Sequence, residues 1–481
     1  MPTDLLHALA NNTWTWFLVV LFFSGSIFVH ELGHFLAARW RGAHVERFSI
    51  GFGPKIFSWY LNGVEYRVSW IPLGGYVLLP QLADLGPLEG KSTAEVAKLP
   101  PITYRSKVII FLAGAAFNIL FAFALACLVW FHGQPSSDED ATTRIGYVRA
   151  TLDMPDGKTA PSPAAQAGLQ VGDTIRAIDG KSVSTFSQVE EFIIFGSGRG
   201  PNNEPKAEIT FERNGRTQDA TVFPLLVGTE EKIRDIGVEP AAKVAIASVT
   251  ADSAAAAAGL QPGDVITQVD GQPVGYLGFM SDYLKSNHDK PVHMTFLRDG
   301  HQQTVDVQPR KIIDPETKAE IFRIGVSLHN ATETIIHVAP WTQLKDAVLS
   351  IWLPLVSLLD RHSDIHTSSL SGPIGIVHVF HVAAELGLYA VIMLTILINV
   401  NLAIFNLLPV PVLDGGQILF ATISKIRGHA LPINIVAATQ GVFLVLLLSM
   451  ILYVSVFDVR RWVVDAKEEK AMAAAAPQPG K

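Results

Sequence analysis

A single cysteine, Cys127, stands in 481 residues, so an internal disulfide is excluded, and its place in an apolar run makes it a small buried hydrophobe. Charge is scarce too: Asp, Glu, Lys and Arg make up 17% of the chain, against about 25% in ordinary soluble domains. The charge that is present has no basic excess, the net value being −7 at pH 7, which gives nucleic acid nothing to bind. Ahead of the first apolar run there is Asp4 but no Lys or Arg. That speaks against a cleaved secretory signal, and the first apolar segment is expected to be retained.

What the chain has instead is long hydrophobic runs. Hydrophobic residues reach 49% and mean hydropathy is +0.30, high for a soluble protein. Four stretches are long enough to cross a bilayer: Trp14–Ala38, Val108–Phe131, Leu388–Val412 and Ile433–Phe457. Arg39, Arg41, Arg47, Lys55, Arg105 and Lys107 flank the first connecting loop, and Lys425 and Arg427 lie in the last. By the bias of basic residues both loops are expected in the cytoplasm. The segment after the second stretch opens with Asp138-Glu139-Asp140, so the long insert that follows, and both chain ends, belong on the opposite side. For a bacterial inner membrane that side is the periplasm. The expected class is a multi-span α-helical membrane protein with four transmembrane helices, a membrane-associated β-hairpin and inserted α+β domains.

The insert repeats itself. Gly168-Leu169-x-x-Gly172-Asp173-x-Ile175-x-x-x-Asp179-Gly180 returns as Gly259-Leu260-x-x-Gly263-Asp264-x-Ile266-x-x-x-Asp270-Gly271, an offset of 91 residues. In each copy a small-residue helix ends at a Gly, a Gly-Asp turn leads into an alternating apolar strand, and Asp-Gly turns the chain back. The pattern resembles the circularly permuted bacterial PDZ domain. Copies are expected over 143–228 and 234–312, followed by a periplasmic linker with amphipathic helices over 313–386, broken at Leu370-Ser371-Gly372-Pro373. Residues 1–40, 107–132, 387–420 and 432–458 hold the four spans, and the Ala-, Lys- and Glu-rich tail over 459–481 is expected to fray. Over 41–106, alternating Val45, Phe48 and Ile50, then Val64, Tyr66, Val68 and Trp70, suggest a β-hairpin or re-entrant loop.

His30-Glu31-Leu32-Gly33-His34 lies inside the first apolar stretch. Two imidazoles four residues apart share one helical face and can grip one zinc ion, and the adjacent Glu can take a proton from the attacking water. Charged residues at membrane depth cost roughly 2.5–3.5 kcal/mol each on insertion scales, so they rarely persist there without a task. A catalytic zinc usually has three protein ligands and one open position. The third ligand expected is Asp414, the acid in the third span (387–420), within Asn406-Leu407-Leu408-Pro409-Val410-Pro411-Val412-Leu413-Asp414-Gly415-Gly416. There two prolines break backbone pairing and two glycines admit close approach. His378, His381 and Glu385 share a helical face, as do His362 and His366, but both sets are read as solvated faces.

H-E-L-G-H in the first span, N-x-x-P-x-P-x-L-D-G in the third and PDZ-like repeats in between resemble the site-2 protease family, and within it the RseP type, regulators of sigma-E. The resemblance implies an intramembrane zinc metalloprotease in which His30, His34 and Asp414 hold Zn²⁺ and Glu31 is the base. It also implies substrate contacts from Asn406, Pro409 and Pro411 and from the β-loop Gly51-Phe52-Gly53. Gly114 and Asn118 match the family's G-P-x-x-N motif, with Ala115 in place of its proline. Substrates of such a family are single-span membrane proteins, of the anti-sigma factor or remnant signal peptide kind. PDZ domains would gate their access by size or by capture of a C-terminal peptide. An unwound substrate segment would add as a strand to the hairpin near Gly51–Gly53 or Gly74–Val77. Two competing classes are a membrane-anchored PDZ adaptor or chaperone with a structural metal, which would call for four protein ligands, and a transporter, which would call for more spans and an inverted repeat.

Overall fold

The computed structural model describes residues 2–82, 99–137, 139–228, 232–287, 290–313, 320–331, 333–365 and 372–475. Asp138, His366, Leu370, Ser371 and the last six residues fall outside them. The chain divides into two units: Met1–Gln134 with His337–Ile351 and Ser371–Val459, and Pro135–Ile336 with Trp352–Leu370 and Arg460–Lys481.

Among the described residues seven helices exceed ten residues: α1 (Pro2–Trp40), α2 (Tyr104–His132), α3 (Pro340–Leu359), α4 (Pro373–Leu386), α5 (Leu388–Asn406), α6 (Asp414–Arg427) and α7 (Ile433–Ala475). Five of these, α1, α2, α3, α5 and α7, are long and apolar enough to cross a membrane. The sequence suggested four. Lys345, Asp346 and Pro354 dilute the apolar content of α3, so its segment reads as amphipathic although its length and mean composition suffice. The spanning window of α7 is only 11% buried. A helix that apolar and that bare is stable in lipid rather than water.

Two further boundaries differ from expectation. The third apolar stretch is helical only through Asn406, because Pro409 and Pro411 cannot donate to a continuing ladder. A turn of residues 407–413 follows before α6 restarts at Asp414. At the other end α7 runs on to Ala475 where fraying was expected, because the Ala, Lys and Glu of that tail are strong helix formers.

In the first unit α1 packs on α2 through small residues, and a Cβ on Gly33 would run into the Ala113 carbonyl. Strands β1 (Arg47–Leu61) and β2 (Val64–Leu78) turn at Asn62-Gly63, both with positive φ (50° and 79°), as a tight hairpin of primed type requires. Both strands bend. Arg47–Ile50 of β1 lies between two parts of β2, with Phe48 beside Val77 on one side and Tyr66 on the other. Phe48, Val64, Val77 and Leu79 then form a core with Ala37, Ala38 and Ile110, which seats the hairpin on α1 and α2. On the far part of α1, Leu18 and Val19 pack with Phe380, Ala383 and Val391. Asn399 of α5 donates to Ser26 Oγ at 2.8 Å.

In the second unit the sequence repeat is a repeat of elements. Helix Pro163–Gln166, strands Thr174–Ile178, Ala207–Arg213 and Arg216–Val222 and helix Phe186–Ile194 recur as Ala254–Ala257, Val265–Val269, Val292–Arg298, His301–Val307 and Phe279–Ser286. Asp173 takes a two-pronged bond from Arg213 and one from the Gln170 N–H, and Asp264 takes the same from Arg298 and the Gln261 N–H. Each copy is closed by a strand beyond the expected boundary. Val238–Pro240 pairs with Ile145–Val148, and Val326–Asn330 pairs with Val244–Val249. The Ile236 and Ile324 carbonyls accept from Ala164 N–H and Ala255 N–H at the heads of the short helices. Limits at 228 and 312 therefore stop short of these closing strands. The closing segments share Ile-Gly-Val, Ile236-Gly237-Val238 and Ile324-Gly325-Val326, an echo spaced differently from the main repeat and missed for that reason.

Candidate active site

The site is built on α1. His30 and His34 lie one turn apart, both buried, with Nε2 atoms 3.1 Å from each other. Asp414 opens α6 and places Oδ2 3.3 Å from each of those nitrogens. Among the described residues this is the group of three His, Cys, Asp or Glu side chains whose donor atoms converge, all within 4.8 Å. The His378, His381 and Glu385 set does not: His381 pairs with Glu385 and stacks on Trp16; His362 pairs with Asp360, and its companion His366 lies outside the described residues.

The turn of residues 407–413 explains how a carboxylate from a later helix reaches the histidines. After Leu407 the chain folds tightly, with Val410 N–H bonded to Leu408 O and Leu413 N–H to Val410 O. A Cβ on Gly415 would strike the Leu407 and Leu408 carbonyls, and one on Gly416 the Val410 carbonyl. Only glycine allows α6 to start this close to the turn.

Helix α2 lies against the pair from the other side. His34 Nδ1–H donates to the Ile110 carbonyl at 2.8 Å, which fixes its proton on Nδ1 and leaves the Nε2 lone pair facing Asp414. Asn118 lies 3.3 Å from His30 Nδ1. A Cβ on Gly114, between them, would come within 2.6 Å of His30 Cε1. Despite Ala115 in place of proline, α2 runs unbroken. Oδ2 of Asp414 is buried with no well-formed hydrogen bond, and the Nε2 atoms of both histidines face it. A zinc ion fits this donor set: two imidazoles and one carboxylate, with room for a fourth ligand.

A cavity of 250 Å³ opens beside these ligands, lined in part by Glu31, Phe52, Gly75, Tyr76, Asn406 and Gln417. The Val77 backbone N–H faces the Glu31 carboxylate, and Gly75 lies against its side chain. The structure thus gathers Glu31, Asn406 and Phe52 around His30, His34 and Asp414. Gly51, Gly53, Pro409 and Pro411 are set back from the cavity. Gly51 and Gly53 carbonyls are bonded by Ser49 Oγ and Arg67, and the Pro411 carbonyl by Gln417. Gln417 was not anticipated. It lies one helical turn after Asp414, a spacing that places it on the same face.

Residues 17–450 match the family model described as Peptidase family M50. The regulator of sigma-E protease RseP of Salmonella typhimurium is 31% identical over 84% of this chain and 88% of its own length. That of Escherichia coli is 30% identical over the same shares. A putative zinc metalloprotease of Borreliella burgdorferi is 29% identical over 85% of this chain and 90% of its own. With that coverage, and with two imidazoles and a carboxylate converging beside a glutamate on an apolar helix, the chain belongs to peptidase family M50, the zinc metalloproteases of the site-2 type.

Proposed function

We propose that this protein cuts single-span membrane proteins within their transmembrane segments, and that His30, His34 and Asp414 hold the zinc while Glu31 moves the proton. The observation that carries this reading is the convergence, among the described residues, of three donor atoms rather than four beside Glu31 at the wall of a cavity. Three ligands favour catalysis over a structural metal. Bound zinc supplies a Lewis acid that polarises the scissile carbonyl and makes water more acidic near neutral pH. Glu31 takes the proton of the attacking water at its carboxylate and delivers it to the leaving nitrogen, as the C–O bond forms and the C–N bond breaks.

A substrate helix must unwind before its carbonyl is accessible. Gly75–Leu78 of β2 pairs with Arg47–Ile50, and its Val77 N–H faces Glu31, so an unwound segment can add along this strand and replace the bonds it lost. Phe52, stacked on Tyr76, and Asn406 would bound it, with Gly51, Gly53, Pro409 and Pro411 shaping the loops that carry them. The two repeats of the second unit are read as PDZ domains. They follow α2, which supports reading them as lying across the membrane from the basic loop, in the periplasm for a bacterial inner membrane. There they gate access for substrates such as an anti-sigma factor or a remnant signal peptide.

The test is co-expression with a tagged single-span protein lacking its outer domain. Glu31→Gln should keep zinc and lose cleavage by about 10²–10⁴-fold, and restoring the outer domain should suppress cutting by the parent. Cleavage at the parent rate by Glu31→Gln overturns the mechanism.

A further inference from the structure

The two histidines are held differently by α2. Ile110, Gly114 and Asn118 follow one another at four-residue spacing on α2, as His30 and His34 do on α1. Ile110 meets His34 through its backbone carbonyl, Gly114 allows the approach, and Asn118 meets His30 through its side chain. Asn118 is wholly buried. With its amide nitrogen toward His30 Nδ1, that ring nitrogen would have to be an acceptor and the proton would be forced onto Nε2, the atom 3.3 Å from Asp414. The end of the amide turned away from His30 is buried without a partner in either orientation, so the tautomer of His30 decides between them. The two ends of a carboxamide are nearly isosteric. A half-turn of the amide makes Oδ1 the acceptor of an Nδ1–H and frees Nε2 for the metal.

We propose that Asn118 is a positioning residue of the metal centre: its amide oxygen accepts the His30 Nδ1 hydrogen and so fixes the tautomer in which Nε2 is a ligand. The inference rests on the reading of His30, His34 and Asp414 as the zinc ligands. It gives each imidazole one acceptor from the same helix, a carbonyl for His34 and a carboxamide for His30, as metal-bound histidines require.

The experiment uses the full-length protein purified in detergent as parent, Asn118→Leu, Asn118→Asp and His34→Ala. Zinc affinity is measured by chelator competition, the visible spectrum of the cobalt-loaded protein reports ligand geometry, and the thermal midpoint in excess chelator reports the metal-free fold. Asn118→Leu, similar in size but without an acceptor, should lose zinc affinity about 10–100-fold and alter the cobalt spectrum while its metal-free midpoint stays at the parent value. Asn118→Asp, which only accepts, should bind zinc within a few-fold of the parent. Parent-like zinc affinity in Asn118→Leu overturns the proposal, as does a loss in Asn118→Asp as deep as that of His34→Ala with the metal-free fold intact. Should Asn118→Leu fail to accumulate, Asn118→Asp decides by the same two outcomes. A parent that binds no zinc sinks the reading of the site itself, a result distinct from a parent that binds zinc and is indifferent to Asn118.

Discussion

Gly114 lies so close to His34 that a Cβ on it would stand 2.5 Å from the Nε2 atom, the atom turned to Asp414. A methyl group there must displace an imidazole or push α2 away from α1. Gly114→Ala is therefore expected to weaken zinc binding about 10-fold or more, on the scale of lost metal-site support, while leaving expression of the chain intact. Zinc content after dialysis against a weak chelator measures it, and full retention would contradict the packing described.

Zinc should also stabilise the unit that binds it. At a free concentration 100 times its dissociation constant a ligand adds about 2.7 kcal/mol, so excess chelator should lower the melting temperature of the parent. Asp414→Ala should melt at one temperature with or without zinc. A zinc-dependent rise in that variant equal to the parent's would remove Asp414 from the ligand set.

Helix α4 has no side-chain cap of its own at Gly372; Asp458 of α7 supplies one. Its carboxylate accepts from Gly372 N–H at 3.0 Å and Gly375 N–H at 2.9 Å, an anion at a helix N-terminus. Asp458→Ala should cost about 1–2 kcal/mol, the usual value of a lost cap. Faster hydrogen exchange at Gly375 and its neighbours would show where the cost falls; unchanged exchange there would contradict the cap.

Ile236 and Ile324 test how the second unit is divided. Both are buried, Ile236 in the core with Ile145 and Ile209, Ile324 in the core with Val244 and Ile266. Each Ile→Ala change should cost about 2–5 kcal/mol. Exchange should rise over Thr174–Val222 for Ile236→Ala and over Val244–Val307 for Ile324→Ala. The reverse assignment would show the closing strands to be exchanged between copies.

At high pH a tyrosine in the second copy becomes visible. Tyr283 donates to Asp270 at 2.6 Å, and partial burial together with that carboxylate pushes its pKa up to about 12. A folded pKa above the unfolded value of 10.0 means the contribution is complete below pH 10 and lost as pH rises through about 12. Tyr283→Phe should flatten this alkaline loss in a stability-against-pH series. An unchanged slope would count against the pair.

Much of the site was legible in the residues. The i, i+4 histidines with Glu31 between them carry their geometry in their spacing, because one helical turn is all that geometry needs. The repeat at offset 91 likewise showed itself, since Gly172, Asp173, Asp179 and Gly180 each serve a local turn that tolerates few alternatives. What stayed hidden depended on partners far along the chain. The Ile-Gly-Val closing strands lie at a spacing of 88 rather than 91, so the main repeat does not reveal them, and α3 hides a spanning length behind Lys345, Asp346 and Pro354.

The sequence by itself determined the chemistry on offer: two imidazoles and a carboxylate in apolar surroundings, a helix broken by Pro409 and Pro411, and glycines at Gly114, Gly415 and Gly416. Only the tertiary structure decided that these meet. Asp414 lies hundreds of residues from His30, and no local rule brings them within 3.3 Å. That distance is set by the packing of α1 against α2, where Gly33 and Gly114 remove the side chains that would hold the helices apart, and by the tight turn that starts α6 beside them. Close approach is a property of surfaces in contact, and a sequence read along one dimension shows only which residues would permit it.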